Sequence, residues 1–264
     1  MLSILFFTAL MLYFASVILN LSGAASKNKG LLRFSWFVFL TGFLLHSAYF
    51  IARGIVAGRL PMSNQFEFAM SFALGIALLY IFLRLKFSAD WITVVALPSA
   101  FLMLAYAATL PMDIRDLMPA LRSSWFGVHI GSAVISYAAF VLAGCAGIKY
   151  LIELKNGASE SDDRLRQMDY LSYRLIALGQ LLLTVVILSG AMWAEEAWSS
   201  FWSWDPKELW SLITWLVYAI YLHQRLRKHW QGKRMAIISI VAVGIVMFTF
   251  IGVNTLLPGL HSFY

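Results

Sequence analysis

Cysteine is almost absent from this chain: Cys145 is the single one among 264 residues, and it lies in the middle of a long apolar run. One thiol excludes a disulfide within the chain, a CxxC redox pair and a CxxCH motif for covalent attachment of haem. The sequence also has no Walker loop, no GxGxxG and no HExxH. Any chemistry must therefore use histidine, tryptophan and a few polar side chains.

Charge is also scarce. Only 12% of the residues are charged, 61% are hydrophobic and the mean hydropathy is +0.77, which is far from the composition of a soluble domain. The sequence predicts an all-α integral membrane protein with about eight transmembrane helices, forming a single polytopic membrane domain over residues 1–264. Apolar runs of spanning length occur at 2–22, 34–52, 65–83, 91–108, 125–152, 171–192, 209–224 and 235–257.

Lys and Arg are distributed unevenly between the two sets of alternate loops. Fifteen of the twenty fall in one set, and the other five are Arg53, Arg59, Arg115, Arg122 and Lys207. Because basic residues are retained on the cytoplasmic side, we expect both termini and residues 193–210 to face outward. No continuous basic face carries interleaved aromatic residues, so we expect no nucleic-acid partner.

Two loops between the runs are long. The inner segment 153–174 contains NGASESDDRLRQ and is interpreted as a solvated connector. The outer segment 109–124 has two prolines and mixed charges, which favours an irregular or short-helical cap on the outer surface.

Six of the ten tryptophans fall within residues 193–215. An interfacial aromatic belt accounts for one or two per helix end, so Trp193, Trp210 and Trp215 could belong to such a belt. Three others, Trp198, Trp202 and Trp204, are predicted in the connecting loop, where no span needs anchoring. We interpret residues 193–210 as an outward, tryptophan-rich loop that forms an apolar floor suited to a large flat amphiphile.

The polar residues beside these tryptophans have a structural explanation. Asp205 suits an N-cap, Pro206 the first position of a helix and Glu208 the third, and together they predict a capping box at the start of the seventh helix.

The histidines indicate which amphiphile it is. His129 is predicted about one turn inside the outer end of the fifth helix, and His261 follows the Pro258–Gly259 break after the last run, so both lie at the level of the tryptophan loop. Taken alone, each could be a hydrogen-bonded residue at a helix end. Two imidazoles flanking an aromatic floor are what a hexacoordinate haem requires, and their coincidence favours iron ligation.

The other three histidines differ. His223 lies thirteen residues beyond Trp210 on one helix, roughly 20 Å deeper at 1.5 Å per residue, so it could mark a second haem station, or could snorkel at the inner interface. His229 lies in the basic segment RLRKHWQGKR and is interpreted as solvated. His46 stays open between a ligand, a packing residue and a contact for a haem propionate.

These segments resemble the haem-handling proteins with a WWD domain, and most closely the CcsA/ResC family of cytochrome c assembly proteins. The resemblance rests on WSSFWSWDPKELW (198–210) with ITWLVYAIYLH running to His223, on GRLPMSNQFE (58–67), on WFGVHIGSAVISY (125–137) and on VNTLLPGLHSF (253–263). It implies that His129 and His261 hold haem at the outer face, that His223 serves an intramembrane haem site, and that the tryptophan motif, including Asp205 and Trp210, contacts the haem.

The resemblance also implies an activity. It identifies the chain as the membrane component of a holocytochrome c synthase, a haem lyase. This component takes haem b outward and positions it for thioether attachment to the CxxCH segment of an apocytochrome c, in the bacterial cytoplasmic membrane or its thylakoid equivalent. Its implied partners are a CcsB/ResB-like membrane protein and a thiol-reducing protein that keeps the apocytochrome reduced.

Three alternatives stay open at this point: a haem-delivery protein like CcmC, a non-catalytic regulator of haem synthesis like HemX, and a transporter of another small molecule. The chain also departs from the family pattern. It has Ser199 and Ser203 where the motif usually has glycine, which removes backbone freedom, and Phe66 where a tyrosine is usual.

Overall fold

A computed structural model describes residues 2–257 and Gly259. In this part of the chain the secondary structure is helical throughout, which confirms the all-α prediction. The chain forms two compact units, Met1–Asp116 (unit 1) and Leu117–Tyr264 (unit 2). The single membrane domain expected from the sequence stays a prediction.

Unit 1 contains four long helices. They are α1 (Leu2–Ala25), α2 (Lys29–Ala57), α3 (Gln65–Phe87) and α4 (Thr93–Ala107), with a 3-10 turn, Asp90–Ile92, leading into α4.

Asparagine side chains begin two of the helices in unit 1. Asn28 caps α2 by accepting a hydrogen bond from the backbone N–H of Gly30 at 2.9 Å, and Asn64 caps α3 through the N–H of Glu67 at 2.8 Å. Such caps satisfy N–H groups that have no partner inside the helix. The C-terminus of α2 closes on Gly58, whose φ of 64° is the left-handed conformation that glycine adopts without steric cost.

Unit 2 begins with a 3-10 turn, Pro119–Leu121, and continues with the helices α5 (Ser124–Lys155), α6 (Asp163–Trp198), α7 (Pro206–Arg227) and α8 (Lys233–Met247). A π turn, Phe248–Gly252, and a short helix, α9 (Val253–Leu256), extend α8.

Small residues let the helices of unit 2 approach closely. A Cβ added to Gly147 of α5 would lie 2.5 Å from Ser239 Oγ and 2.9 Å from the carbonyl of Ala236, both on α8. Glycine is therefore required where these two backbones pack, as at many helix contacts in membranes. The rings of Phe140 on α5 and Tyr218 on α7 also stack, with their centroids 3.6 Å apart.

Eight helices of 15 residues or more occur in the described residues, and seven helical segments are long and apolar enough to cross a membrane. The chain is thus a multi-pass membrane protein, while the sides of its two termini stay a prediction. The helix α7 is less apolar than these seven segments and is not one of them. It carries the tryptophan motif at its start and His223 near its end.

The predicted extent of the inner loop is wrong. The inner loop expected at 153–174 covers only residues 156–162, because α5 continues to Lys155 and α6 begins at Asp163. Ion pairs along the polar helix ends, Lys149–Glu153 at 2.6 Å and Arg166–Asp163 at 2.6 Å, support these extra turns. An apolar run marks only the part of a helix inside the bilayer, so the polar ends were missed. The segment 109–124 is irregular with one 3-10 turn, as predicted, while its position on the outer surface stays a prediction.

Candidate functional site

His129 projects from α5 onto α6. Its Nδ1 lies 2.8 Å from the carbonyl oxygen of Val186. The ring occupies a notch at Gly190, where an added Cβ would lie 2.8 Å from Nδ1 and 2.9 Å from Cε1. The side chain is half-buried at this position.

The Val186 contact indicates which nitrogen of the His129 ring carries a hydrogen. A carbonyl oxygen only accepts hydrogen bonds, so Nδ1 is the nitrogen that donates, and a neutral ring then carries its lone pair on Nε2. Histidines that bind metals usually hold their second nitrogen in this way on a carbonyl or a carboxylate. The tautomer of His129 therefore suits Nε2 ligation.

Trp193 lies behind His129 and is 2% exposed, so it does not belong to an interfacial belt. Its ring centroid is 5.8 Å from that of His129, 5.4 Å from Phe126 and 5.1 Å from Trp198. Its indole N–H donates to the carbonyl of Ala120 at 2.7 Å. Trp193 connects the imidazole to the tryptophan motif, a role that its spacing in the sequence did not indicate.

The tryptophan motif is partly helical. Trp198 is the last residue of α6, not a loop residue as expected from the sequence. Residues 199–205 form the loop, in which the rings of Trp202 and Trp204 meet edge to face at 5.9 Å. Trp204 is 67% exposed and Phe201 50% exposed. The loop thus exposes aromatic side chains at the surface of unit 2, while its role as a floor for a flat amphiphile stays a prediction.

The capping box at the start of α7 is confirmed. The Asp205 carboxylate accepts from the N–H of Lys207 at 2.9 Å, and Glu208 Oε2 accepts from the N–H of Asp205 at 3.2 Å and of Ser203 at 2.8 Å. Asp205 is buried. The two carboxylates therefore order the loop and the first turn of α7 together.

Gly259 lies at this same end of unit 2. Gly259 packs so closely on Asp205 and Pro206 that an added Cβ would clash with the carboxylate. His261, the second ligand expected from the sequence, lies outside the described residues.

Comparison with known proteins identifies the chain at this point. A family model described as "Cytochrome C assembly protein" matches residues 62–261. The chain belongs to this cytochrome c assembly family. Its relatives include the cytochrome c biogenesis protein CcsA of Chlamydomonas reinhardtii, 42% identical over 78% of this chain and 62% of that protein. The CcsA proteins of Prochlorococcus marinus (strain MIT 9312) and Porphyra purpurea are 35% and 33% identical, over 91% and 97% of this chain and 87% and 93% of theirs.

A solved structure shares the fold of this family member. It is the cytochrome c haem lyase CcmF, with a TM-score of 0.74 and 15% sequence identity over 94% of this chain. The present chain spans about half of the CcmF length, 46%. At this identity the likeness concerns the helical fold alone.

The two serines that replace motif glycines have different surroundings in this family member. Ser199 ends α6 with a φ of 55°, in the left-handed region that favours glycine. Ser203 is not among the residues with positive φ, and both its N–H and its hydroxyl contact the Glu208 carboxylate.

We expect Ser199→Gly to raise the free energy of unfolding by up to about 1 kcal/mol, because it relieves a left-handed serine and offsets the entropy cost of glycine. Ser203→Gly is the matched control and should lower that free energy by about 1 kcal/mol, because it loses a hydrogen bond. Thermal unfolding of the purified variants in detergent measures both. Stabilisation by both glycines would contradict this account.

Trp210 and His223 lie on α7. The Trp210 ring packs on Phe248 of the π turn, with centroids 4.4 Å apart. His223 is exposed near the opposite end of α7 and makes no hydrogen bond or ion pair with the described residues. His223 is thirteen positions beyond Trp210, which corresponds to roughly 20 Å along α7, so His223 lies far from the tryptophan motif at the start of this helix.

A buried ion pair anchors the His223 end of α7. Arg225 Nη2 lies 2.5 Å from Asp169 Oδ2, and the side chains are 10% and 9% exposed. Arg225 also donates to the carbonyl of Trp230 at 3.1 Å, and Asp169 accepts from the N–H of Gly232 at 3.1 Å. These contacts hold the turn between α7 and α8 against α6. Arg225, which makes two of them, is two residues from His223.

His46 belongs to unit 1, where its ring is fully buried. Its Nδ1 lies 3.4 Å from the Tyr13 hydroxyl, and the two rings meet edge to face at 5.8 Å. A porphyrin would have to displace this packing to reach the ring. Of the three interpretations left open, the contacts favour a packing residue.

Unit 1 contains a buried cluster of charged side chains that the sequence analysis did not predict. Glu67, fully buried, accepts from Arg53 Nε at 3.0 Å and from Arg59 Nη1 at 2.8 Å. Arg53 also donates to the carbonyls of Met112 and Asp113, and Arg59 to that of Arg115. The signal in the sequence is the occurrence of Arg53 and Glu67 next to apolar runs. The backbone partners are almost sixty residues from Arg53, which no local pattern reveals.

Proposed function

We propose that this chain is the membrane component of a cytochrome c synthase, which receives haem b and holds it for attachment to an apocytochrome c. The observation that carries the proposal is the His129 arrangement, in which Nδ1 is engaged by the Val186 carbonyl and the ring packs on Trp193, which in turn contacts Trp198 of the tryptophan motif. Membership of the cytochrome c assembly family supports it.

The residues of unit 2 suit haem as a substrate. His129 offers Nε2 to the iron, and His261 is proposed as the second axial ligand. The exposed ring of Trp204 and the half-buried ring of Trp202 offer flat apolar surface of the kind that covers a porphyrin. The proposal places this site on the outer side of the membrane.

The proposed reaction adds two substrate thiols to the haem vinyl groups. In each addition the C=C double bond opens, sulfur bonds to one carbon and a proton is taken up by the other, so no oxidant or leaving group is required. Both thiols come from the CxxCH segment, since Cys145 is 2% exposed within unit 2. The chain contributes position, which acts on rate as an effective concentration.

A second haem station is proposed at His223, nearer the cytoplasmic leaflet. An exposed imidazole on a membrane helix is costly in contact with lipid, and His223 has no partner among the described residues. A CcsB/ResB-like membrane protein is proposed to supply the second axial nitrogen there and the outward domain that receives the apocytochrome. His46 does not suit this role, because it is enclosed in unit 1.

The function is tested by purifying the chain with a CcsB/ResB-like partner, recording its absorption spectrum and supplying a reduced apocytochrome with CxxCH. We expect low-spin haem b with two histidine ligands and a thioether-linked product. Haem without product would indicate delivery to a chaperone, as in CcmC-like proteins. Absence of haem would contradict the proposal and favour a regulator.

The partner is tested by expressing the chain with and without it, with His46→Ala and His223→Ala made in both settings. We expect the deep-site haem to require the partner and His223, and to survive the loss of His46. Six-coordinate haem at His223 in the chain alone, removed by His46→Ala, would show that the site is internal.

Asp205 is expected to act mainly as a helix cap. Asp205→Asn and Asp205→Ser retain a capping oxygen and should preserve haem binding, whereas Asp205→Ala should cost about 1 kcal/mol of stability. Haem content and thermal unfolding of the three variants measure this. If Asn abolishes haem binding as fully as Ala, the carboxylate charge is required beyond the cap.

A further inference from the structure

Three residues of α6 hold the His129 ring. Val186 accepts the hydrogen bond from Nδ1, Gly190 provides the space for the ring, and Trp193 packs against it. Positions 186, 190 and 193 are spaced by four and three residues, so they lie on one face of the helix. We call these three residues the His129 seat.

We propose that the His129 seat is a positioning device that presents Nε2 of this histidine to the haem iron in one tautomer and one direction. The inference rests on the proposed function, in which His129 is an axial ligand. It adds that Gly190 and the Val186 carbonyl, which touch neither iron nor substrate in this role, determine how well the ligand is presented.

Gly190 makes the hydrogen bond of His129 feasible. Glycine is the poorest helix former after proline, so its presence within the last quarter of the 36-residue α6 needs a reason. A methyl group at 2.8 Å from Nδ1 and 2.9 Å from Cε1 is closer than non-bonded atoms approach. The ring would have to move off the helix, and the 2.8 Å contact with Val186 would be lost.

Two side chains approach the Val186 carbonyl oxygen, those of His129 and Ser189, and His129 is the closer of the two. Ser189 Oγ lies 3.3 Å from the same oxygen but 2.6 Å from the carbonyl of Val185, to which it donates. The imidazole N–H at 2.8 Å is the better placed donor. A carbonyl fixed in a helix holds the ring plane more firmly than a flexible side chain would.

The glycines of α5 provide matched controls. Gly127 and Gly131 lie two residues on either side of His129, and an added Cβ would meet no atom of the described residues within 4 Å at either position. Gly127→Ala and Gly131→Ala therefore make the same change to a helix as Gly190→Ala without touching the imidazole.

The first measurement is the haem affinity of the purified synthase carrying each variant, with its partner present. We expect Gly190→Ala to weaken haem binding about 10- to 100-fold, as changes behind a metal-bound histidine do, and to lose the low-spin spectrum. Added imidazole should restore six-coordination, because it occupies the axial position that the displaced ring leaves. Gly127→Ala and Gly131→Ala should bind haem as the unchanged protein does.

The second measurement needs no haem. The ¹⁵N shifts of labelled histidine in the haem-free protein distinguish the tautomers, with His129→Ala identifying the signal. We expect the Nδ1–H form for His129, and its loss in Gly190→Ala. An Nε2–H tautomer, or an unchanged haem spectrum in Gly190→Ala, would overturn the inference. If the unchanged protein binds no haem, the proposed function fails, and the tautomer alone decides whether the seat orients His129.

Discussion

Replacing His129 with alanine is expected to abolish thioether formation while leaving the chain inserted in the membrane. The ring is half-buried at the end of unit 2 and its loss leaves a small space beside Trp193. The fold should survive because α5 also packs on α8 at Gly147 and on α6 at Gly179, both away from His129. The haem, however, would lose one of its two proposed axial nitrogens.

Added imidazole should restore part of the synthase activity of His129→Ala, since a free ring can enter the vacated axial position. His261→Ala should behave in the same way. The matched control is His229→Ala, because His229 is an exposed residue of the basic turn after α7. Haem spectra and the yield of thioether product measure all three. Full activity of His129→Ala or His261→Ala without imidazole would refute the ligand assignment.

Replacing Glu67 with glutamine is expected to produce the largest loss of stability in unit 1. The carboxylate is completely buried and forms ion pairs with both Arg53 and Arg59. Removing one partner of a buried ion pair leaves uncompensated charge and typically costs about 3–5 kcal/mol. The segment that carries Met112 and Asp113 would loosen as well, because its carbonyls are held by Arg53.

Two comparisons make the Glu67 prediction specific. Arg59→Gln should cost less than Glu67→Gln, because Arg53 and Glu67 still form a neutral pair. Asp90→Asn removes an ion pair to Arg84 in which Asp90 is 64% exposed, and surface pairs contribute about 0–1 kcal/mol. Denaturant unfolding in detergent gives the order. Equal losses for Glu67→Gln and Asp90→Asn would show that the buried cluster does not stabilise unit 1.

Features encoded over a few residues were predicted well. The capping box of Asp205 and Glu208 depends on a spacing of three residues and a proline, and it was confirmed in detail. The helical class followed from composition and the length of the apolar runs, because a bilayer admits few other structures. The irregular backbone of residues 109–124 followed from their prolines.

Features that depend on distant contacts were missed. Trp193 resembled an interfacial residue, yet it packs between His129 and Trp198. The charges of Arg53 and Glu67 were visible, but their carbonyl partners lie in another part of the chain. Helix ends beyond the bilayer carry no apolar signal, so the turns around Glu153 and Asp163 were assigned to a loop.

The same difference between local and distant features applies to the proposed site. The amino-acid sequence determined which chemical groups are available: histidines at a helix end, indoles in a short connection, and no reactive cysteine. Only the tertiary structure decided how His129 is held, with its Nδ1 on the Val186 carbonyl and its ring over Gly190. His129 and Val186 are 57 positions apart in the sequence. Every residue has a backbone carbonyl, so the residue type at position 186 does not reveal this hydrogen bond. A pattern of residue types therefore locates a ligand, whereas its tautomer and direction follow from the packing of one helix on another.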